Sequence, residues 1–216
     1  MKTQDYNLPD TALQEKADLF WKWFSENHDT FLLFDDTPIE KSSKSIEQLS
    51  VELDNYNPEL FFEIGKKPND DKIQLVITAA GNKDHFPDVE LLCSRAPTFE
   101  NWEIIAFKPP MGINFKLQYR GMELNPDKII FIPLDNKHAP EAVGLHVCFD
   151  DLSDKNREIL VGGTYLILDS ILGERTTTLD IDYLNIIKTP IDIESYDFKY
   201  LSEIAEFIKE KKELKK

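Results

Sequence analysis

The stretch VGLHVCFD at residues 143–150 alternates strictly between large apolar side chains and smaller or polar ones. Alternation with a period of two is typical of a β-strand that buries one face. An apolar run at 129–132 precedes this strand, a helical segment over 154–171 follows it, and a further strand is predicted over 177–187. Residues 128–187 therefore predict a ββαβ unit.

A second ββαβ unit is predicted upstream, over residues 59–108. The long hairpin connections and the two crossover helices favour a mainly antiparallel sheet with helices packed on it, which is an α+β fold. A ferredoxin-like arrangement of part of the chain would place strands near 73, 102, 143 and 178 in one sheet. We expect a single α+β domain over 1–190 and a C-terminal amphipathic helix over 191–216.

The first predicted helix carries four large aromatic side chains in the pentapeptide FWKWF. Its apolar arc is roughly 160° wide, which is broader than the ~100° that a helix needs to dock on one core. Phe20 and Phe24 are expected to cover the apolar sheet at 129–132. Trp21 and Trp23 lie at the margins of the arc and are candidate contacts for another molecule.

The net negative charge of the chain indicates which kinds of partner it can bind. The protein has 216 residues and a formal net charge of −15. The last eight residues hold five lysines and two glutamates, so the first 208 carry 20 basic and 38 acidic residues, a net charge of −18. A field of this sign repels phosphates, so no nucleic-acid partner is expected. It is compatible with a basic protein partner or with solubility alone.

Cysteine usage and apolar runs indicate a reduced, cytoplasmic protein. Cys93 and Cys148 have neither the spacing of a disulfide framework nor that of a metal site. Residues 1–10 show no signal-peptide pattern, and the longest apolar run, 159–168, is far shorter than the ~20 residues that span a bilayer. No membrane partner, metal, cofactor or catalytic residue is predicted, because no motif for one is present. The oligomeric state stays open.

Three chemically versatile side chains, His146, Cys148 and Asp150, share one face of a predicted strand. A cysteine beside a histidine can be an activated nucleophile, and the three side chains together can hold a metal. Neighbours on one strand face lie near 7 Å apart at their α-carbons, which is too far for a direct hydrogen bond between the side chains. The alternatives are a pocket and a partly exposed sheet face with a small buried thiol.

Gly162 and Gly163 interrupt an otherwise helical segment. Each glycine costs about 1 kcal/mol relative to alanine in a helix, so some contact should compensate. Close approach of a neighbouring helix or of the sheet is one explanation. A ligand pressed against the bare backbone, in a cleft, is the other.

A further helix is predicted to begin after Gly81, with Asp84 and His85 in its first turn. An acidic residue suits this position as a cap and as a complement to the helix dipole. The N-terminus of a helix can also bind an anion, here with help from Lys83 or Arg95. Both interpretations are open.

Several short phrases occur together: FWKWF at 20–24, EIG at 63–65, AP at 96–97, a tryptophan-led strand that ends in AFKP at 106–109, and LGE at 172–174. Together they resemble a group of uncharacterised bacterial proteins known only as a domain of unknown function. The resemblance covers about residues 18–187. It implies a coherent fold and a bacterial origin, and it implies no activity and no catalytic residue.

Two functions are compatible with these features. The first is a non-enzymatic protein-interaction module, such as an inhibitor, an adaptor or an immunity protein, that uses the aromatic helix or a sheet face. The second is a small-ligand-binding protein or an enzyme that uses the face of His146 and Cys148 or the cleft at Gly162 and Gly163. The aromatic arc, the negative charge and the lack of a catalytic constellation favour the first.

Overall fold

The computed structural model describes residues 11–31, 39–66 and 70–214, and within them the protein has the predicted α+β fold. The described helices are α1 (Thr11–Asn27), α2 (Ile39–Tyr56), α3 (Phe86–Ser94), α4 (Arg157–Leu172), α5 (Glu174–Asp180) and α6 (Ile204–Glu213). The described strands are β1 (Phe61–Lys66), β2 (Ile73–Thr78), β3 (Trp102–Ala106), β4 (Leu117–Tyr119), β5 (Met122–Leu124), β6 (Ile130–Leu134), β7 (Gly144–Phe149), β8 (Tyr183–Lys188) and β9 (Lys199–Tyr200). The expectation for residues 1–10 lies outside the described residues.

The chain divides into two compact units, unit 1 over Met1–Phe107 and unit 2 over Lys108–Lys216. This division differs from the expected single domain over 1–190 with a separate helix after it. Each unit has its own hydrophobic core. Helix α6 is part of unit 2, because Ile204, Phe207 and Ile208 are buried in its core.

Unit 1 contains a three-stranded sheet with the order β1-β2-β3. Strand β2 is antiparallel to β1 and parallel to β3, and α3 makes the crossover between β2 and β3. These elements form the ββαβ unit predicted over 59–108. Because β2 is the central strand, its residues from Gln74 to Thr78 are all buried, and Leu75 and Ile77 contribute to the core of the unit.

Aromatic rings from α1 fill much of the core of unit 1. Phe24 is fully buried, and its ring centroid lies 5.3 Å from that of Phe99 and 5.2 Å from that of Trp102, both in edge-to-face geometry. The expectation that Phe20 and Phe24 cover the strand at 129–132 is wrong, because they lie in the core of unit 1 and β6 contributes to the core of unit 2. A sheet nearer in sequence costs less loop-closure entropy to cover.

Unit 2 contains a four-stranded sheet with the order β8-β7-β6-β9. Strand β7 is antiparallel to β6 and parallel to β8, with α4 and α5 between β7 and β8. The unit thus repeats the β-hairpin, helical crossover and parallel strand of unit 1. The ferredoxin-like expectation is wrong, because β2 and β3 belong to one sheet and β7 and β8 belong to another.

The segment predicted as a strand over 177–187 is helical in its first part. Helix α5 occupies this part, and strand β8 begins only at Tyr183. Gly173, with a φ of +80°, ends α4 and allows the chain to start a new helix at once. The Thr177 hydroxyl donates to the Gly173 carbonyl oxygen at 3.1 Å and stabilises this short helix.

Candidate functional site

The first of the two candidate tryptophans, Trp21, is a core residue. Its side chain is 3% exposed, and its indole Nε1 donates to the Leu92 carbonyl oxygen at 2.7 Å. Its ring also contacts Phe20 at 4.9 Å and Phe24 at 5.6 Å between centroids, both edge to face. Trp21 therefore joins α1 to α3 and does not present its ring to another molecule.

A groove lies between α1 and α2. It contains a cavity of about 330 Å³, lined by Lys16, Leu19, Phe20, Glu52, Asn55 and Tyr56. Phe20 and Tyr56 are buried and form an aromatic floor, whereas Leu19 on the rim is 65% exposed. Trp23 is half-buried and lies on the same flank of α1, four residues after Leu19. Part of the Trp23 side chain packs against the core of unit 1, and the rest of it is exposed.

A hydrogen bond fixes the floor of this groove. The Tyr56 hydroxyl donates to the Asp88 carbonyl oxygen in α3 at 2.8 Å. Burial, with a further contribution from the nearby Asp88 carboxylate, raises the pKa of Tyr56 far above its usual range. The phenol is therefore neutral at physiological pH, and the groove combines a neutral aromatic floor with Lys16 and Glu52 as the charged members of its lining.

Three polar side chains meet where α2 ends and α3 begins. Asn57 Nδ2 donates to Asp88 Oδ2 at 2.7 Å, and His85 Nδ1 lies 3.1 Å from the same carboxylate oxygen. A carboxylate that orients an imidazole occurs in catalytic relays, but a relay also needs a nucleophile. The three side chains hydrogen-bond to one another, and none of them is a nucleophile of that kind. The arrangement connects α2 to α3.

His146 and Cys148 lie on one face of β7, but their side chains do not form a reactive pair. Cys148 is 3% exposed, and its Sγ donates to the His146 backbone carbonyl oxygen at 3.6 Å. The imidazole ring lies 6.2 Å from the Tyr183 ring instead. Burial, with a smaller contribution from the Asp150 carboxylate, raises the pKa of Cys148 to about 11. The thiol is therefore protonated at neutral pH, whereas a nucleophilic cysteine needs a lowered pKa.

Gly162 and Gly163 lie under the hairpin of β4 and β5, which pair antiparallel. A Cβ atom on Gly162 would lie 2.9 Å from the Tyr119 hydroxyl oxygen. A Cβ atom on Gly163 would overlap Cδ1 of Leu124. The two glycines therefore admit the hairpin to the surface of α4, and this contact accounts for their presence in the helix.

The groups expected at the start of α3 have partners within unit 1. Arg95 donates from Nε and Nη2 to the two carboxylate oxygens of Asp18, at 2.7 and 2.6 Å. This hydrogen bonding lowers the pKa of Asp18. A 3-10 turn at Lys83–His85 precedes α3, and its N-terminal cap is Asn82, whose side chain accepts from the Asp84 N–H at 3.3 Å. The N-cap position of α3 itself is His85, which makes no side-chain capping hydrogen bond.

Two further features of the described residues concern metal ligands and membrane-spanning helices. Within residues 11–31, 39–66 and 70–214, no group of three or more His, Cys, Asp or Glu side chains is placed to hold a metal ion. Over the same part of the chain, every helix is too short or too polar to cross a bilayer. The α1–α2 groove combines a cavity with an exposed apolar rim.

Comparison with known proteins identifies no relative from which a function could be inferred. No family model, curated protein or solved structure matches the chain. The resemblance to a bacterial family of unknown function therefore stays a prediction. Sequence reasoning missed the groove, since its two walls lie more than 30 residues apart in the chain.

Proposed function

We propose that the protein is a non-enzymatic protein-interaction module whose partner docks in the α1–α2 groove. The observation that carries the proposal is the coincidence of a cavity of about 330 Å³, a buried aromatic floor and the exposed side chain of Leu19. Binding energy in protein complexes is concentrated where an apolar anchor from one partner fills a well-packed pocket in the other. The groove offers such a pocket.

The size and lining of the cavity favour an anchor side chain over a polar metabolite. Small-molecule sites range from about 300 to 1,000 Å³ and usually bury most of the ligand. This cavity is at the lower end of that range and lies in a groove between two helices. Its lining offers one cationic and one anionic side chain, Lys16 and Glu52, which suit the edge of an apolar contact.

The charge of unit 1 supports a basic partner. Residues 1–107 contain 10 lysines and arginines and 21 aspartates and glutamates, a net charge of −11. A field of this sign raises the rate of encounter with a cationic protein and opposes the binding of nucleic acid. An inhibitor, adaptor or immunity-like role belongs to this class of function.

The alternative function, ligand binding or catalysis in unit 2, has less support. The Cys148 thiol is buried and protonated, and the backbone of Gly162 and Gly163 is covered by Tyr119 and Leu124. Neither feature offers a reactive group next to an open cavity. The proposal therefore keeps to the groove of unit 1.

Charge introduced at the groove rim tests the proposal. Tagged protein is used to capture partners from an extract of the source organism, and each captured protein is purified and titrated by calorimetry. Leu19→Glu places a charge at the groove and should raise the dissociation constant at least tenfold, which corresponds to a loss of about 1.4 kcal/mol of binding free energy. Trp23→Ala should weaken binding in the same direction.

The matched control is Val51→Glu. Val51 is 52% exposed and lies between the buried positions Leu49 and Leu53, so it points away from the core on α2. This variant places the same charge at another exposed apolar position and should bind within twofold of the wild type. A partner whose affinity is indifferent to Leu19→Glu, or equally sensitive to Val51→Glu, would contradict the proposed site.

A further inference from the structure

The connection from β8 to β9 joins opposite edges of the unit 2 sheet. The sheet has the order β8-β7-β6-β9, so residues 189–198 begin beside one edge strand and end beside the other. Three strand spacings separate the two edges, about 14 Å, and a connection of this length spans up to about 33 Å when extended. The connection, which we call the strap, is therefore long enough to cross a face of the sheet.

The handedness of parallel connections indicates which face the strap crosses. Strand β9 is antiparallel to β6, β6 is antiparallel to β7, and β7 is parallel to β8, so β8 and β9 are parallel. Connections between parallel strands of one sheet are almost always right-handed. The helical connection from β7 to β8 and the strap run in opposite directions across the sheet, so two right-handed connections lie on opposite faces. Because α4 shares the core of unit 2 with Leu145 and Val147, the strap belongs to the other face, which we call the second face.

The burial of the second face agrees with a cover of this kind. The face carries two cross-strand pairs, Ile132 with His146 and Ile130 with Cys148. Ile132 is 8% exposed and Cys148 is 3% exposed, although α4 and α6 pack in the core on the opposite side of the sheet. An uncovered sheet face leaves its side chains in water. The strap therefore accounts for the burial of these two side chains.

The apolar side chains of the strap point in two directions. Ile193 and Phe198 are half-buried, whereas Ile191 is fully exposed. Phe198 comes two residues before Tyr200, which pairs with Ile130, so the alternation of side chains places Phe198 on the second face. The half-buried side chains are therefore the ones that hold the strap on the sheet.

The strap has fewer attachments than the strands beneath it. At its start the Thr189 N–H donates to the Phe149 carbonyl oxygen at 3.3 Å, and at its end β9 pairs with β6 over two residues, whereas β6 pairs with β7 over five. Between these points the Tyr196 N–H donates to the Ile193 carbonyl oxygen at 2.9 Å, a bond within the strap itself. Segments with few buried apolar contacts open at a lower free energy than core strands do.

We infer that the strap is a lid, which opens while the rest of unit 2 stays folded and thereby controls access to the Cys148 thiol and the His146 side chain. When it is closed, the lid shields the thiol and Ile132 from water. When it is open, it exposes the second face to a reagent or to another molecule. This device lies in unit 2 and does not depend on the α1–α2 groove.

Reaction of Cys148 with iodoacetamide at pH 8 measures the opening of the lid in the full-length chain. If the lid opens locally, the rate should change by less than twofold between 0 and 1 M urea. A reaction that requires global unfolding would accelerate at least about fivefold over the same range, since unfolding depends steeply on denaturant. Cys93 in unit 1 is the internal reference, and mass spectrometry of the peptides follows both thiols.

Ile193→Ala and Ile191→Ala form a matched pair, because the same truncation removes a half-buried side chain in one variant and a fully exposed one in the other. Ile193→Ala should raise the rate at Cys148 about tenfold and leave that at Cys93 within twofold of the wild type. Ile191→Ala should leave both rates within twofold.

Four outcomes would overturn the inference. They are a Cys148 rate that rises with urea as global unfolding does, an Ile193→Ala rate at Cys148 within twofold of the wild type, an equal acceleration by Ile191→Ala, and an equal acceleration of both thiols by Ile193→Ala. Far-UV circular dichroism confirms that each variant is folded, and the urea dependence of the wild type tests the lid without any substitution.

Discussion

The two units share a ββαβ connection and differ in how neighbouring elements meet their helices. In unit 1, α1 and α2 leave a groove between them that has a cavity of about 330 Å³. In unit 2, the glycines of α4 let the β4–β5 hairpin pack against the helix backbone. The spacing of packed elements depends on the side chains between them. The cavity thus lies between two helices that precede the ββαβ connection of unit 1, whereas the filled contact lies on the crossover helix α4 of unit 2, where that helix carries glycine.

The largest expected effect is a loss of stability when an aromatic ring is removed from the core of unit 1. Phe24→Ala removes a fully buried ring that contacts Phe99 and Trp102, so it should lower the free energy of unfolding by about 3–5 kcal/mol. All three tryptophans lie within residues 1–107, so tryptophan fluorescence in urea reports on unit 1.

The control for this substitution lies on the same helix. Leu19→Ala truncates a side chain that is 65% exposed, and its effect should stay within about 0.5 kcal/mol. A loss below 1 kcal/mol for Phe24→Ala would mean that the rings of α1 do not form the core of unit 1.

An intermediate effect is expected at the filled contact in unit 2. Gly163→Leu inserts a side chain where a Cβ atom already overlaps Leu124. Overpacking costs about 1–3 kcal/mol, and a gain of roughly 1 kcal/mol in helix propensity offsets part of this cost, which leaves a net loss of about 0–2 kcal/mol. Far-UV circular dichroism in urea measures it, since unit 2 contains no tryptophan.

Two further variants decide whether the hairpin causes this loss. Leu124→Ala combined with Gly163→Leu should show a favourable coupling energy in a double-mutant cycle, because the truncation makes room for the new side chain. Gly65→Ala adds a Cβ atom with nothing within 4 Å and should have little effect. Additive effects of the two substitutions would argue against the packing of the hairpin on α4.

Local patterns in the sequence are sufficient to predict the α+β fold and both ββαβ units. The alternation in β2 and β7 and the apolar periodicity of the helices are properties of short segments. The β4–β5 hairpin is harder to predict, because its turn places Arg120 at a φ of +46° before Gly121 at +83°. A positive φ at a residue other than glycine gives little signal in the sequence.

Contacts distant in sequence explain what could not be predicted about the candidate site. Trp21 and Trp23 have similar positions on the predicted arc, and the partner that separates them is the Leu92 carbonyl oxygen, 71 residues away from Trp21. Likewise, Asn57 and Asp88 are 31 residues apart in the chain. Periodicity shows which face of a helix is apolar, but it does not show which polar group will meet that face.

An effect that is absent at neutral pH compares the two thiols, one in each unit. Burial raises the pKa of Cys93 to about 12 and that of Cys148 to about 11, from a usual value of 9.0. The thiols of the unfolded chain therefore ionise first. Stability should be constant with respect to these groups below about pH 9 and should fall as the pH rises from about 9 towards 11. Urea midpoints at pH 7, 9 and 10 measure this slope.

Alkylation of Cys148 at pH 8 provides an independent test of the same burial. A pKa two units above that of the free thiol reduces the thiolate fraction about 100-fold, and only the thiolate reacts. Iodoacetamide should therefore modify native Cys148 at least about 100 times more slowly than the urea-unfolded chain, with mass spectrometry of the peptides as the measurement. Cys148→Ala should lessen the alkaline loss of stability. Rapid modification of native Cys148 would show an ionised, accessible thiol and would revive the alternative function of a reactive site on the β7 face.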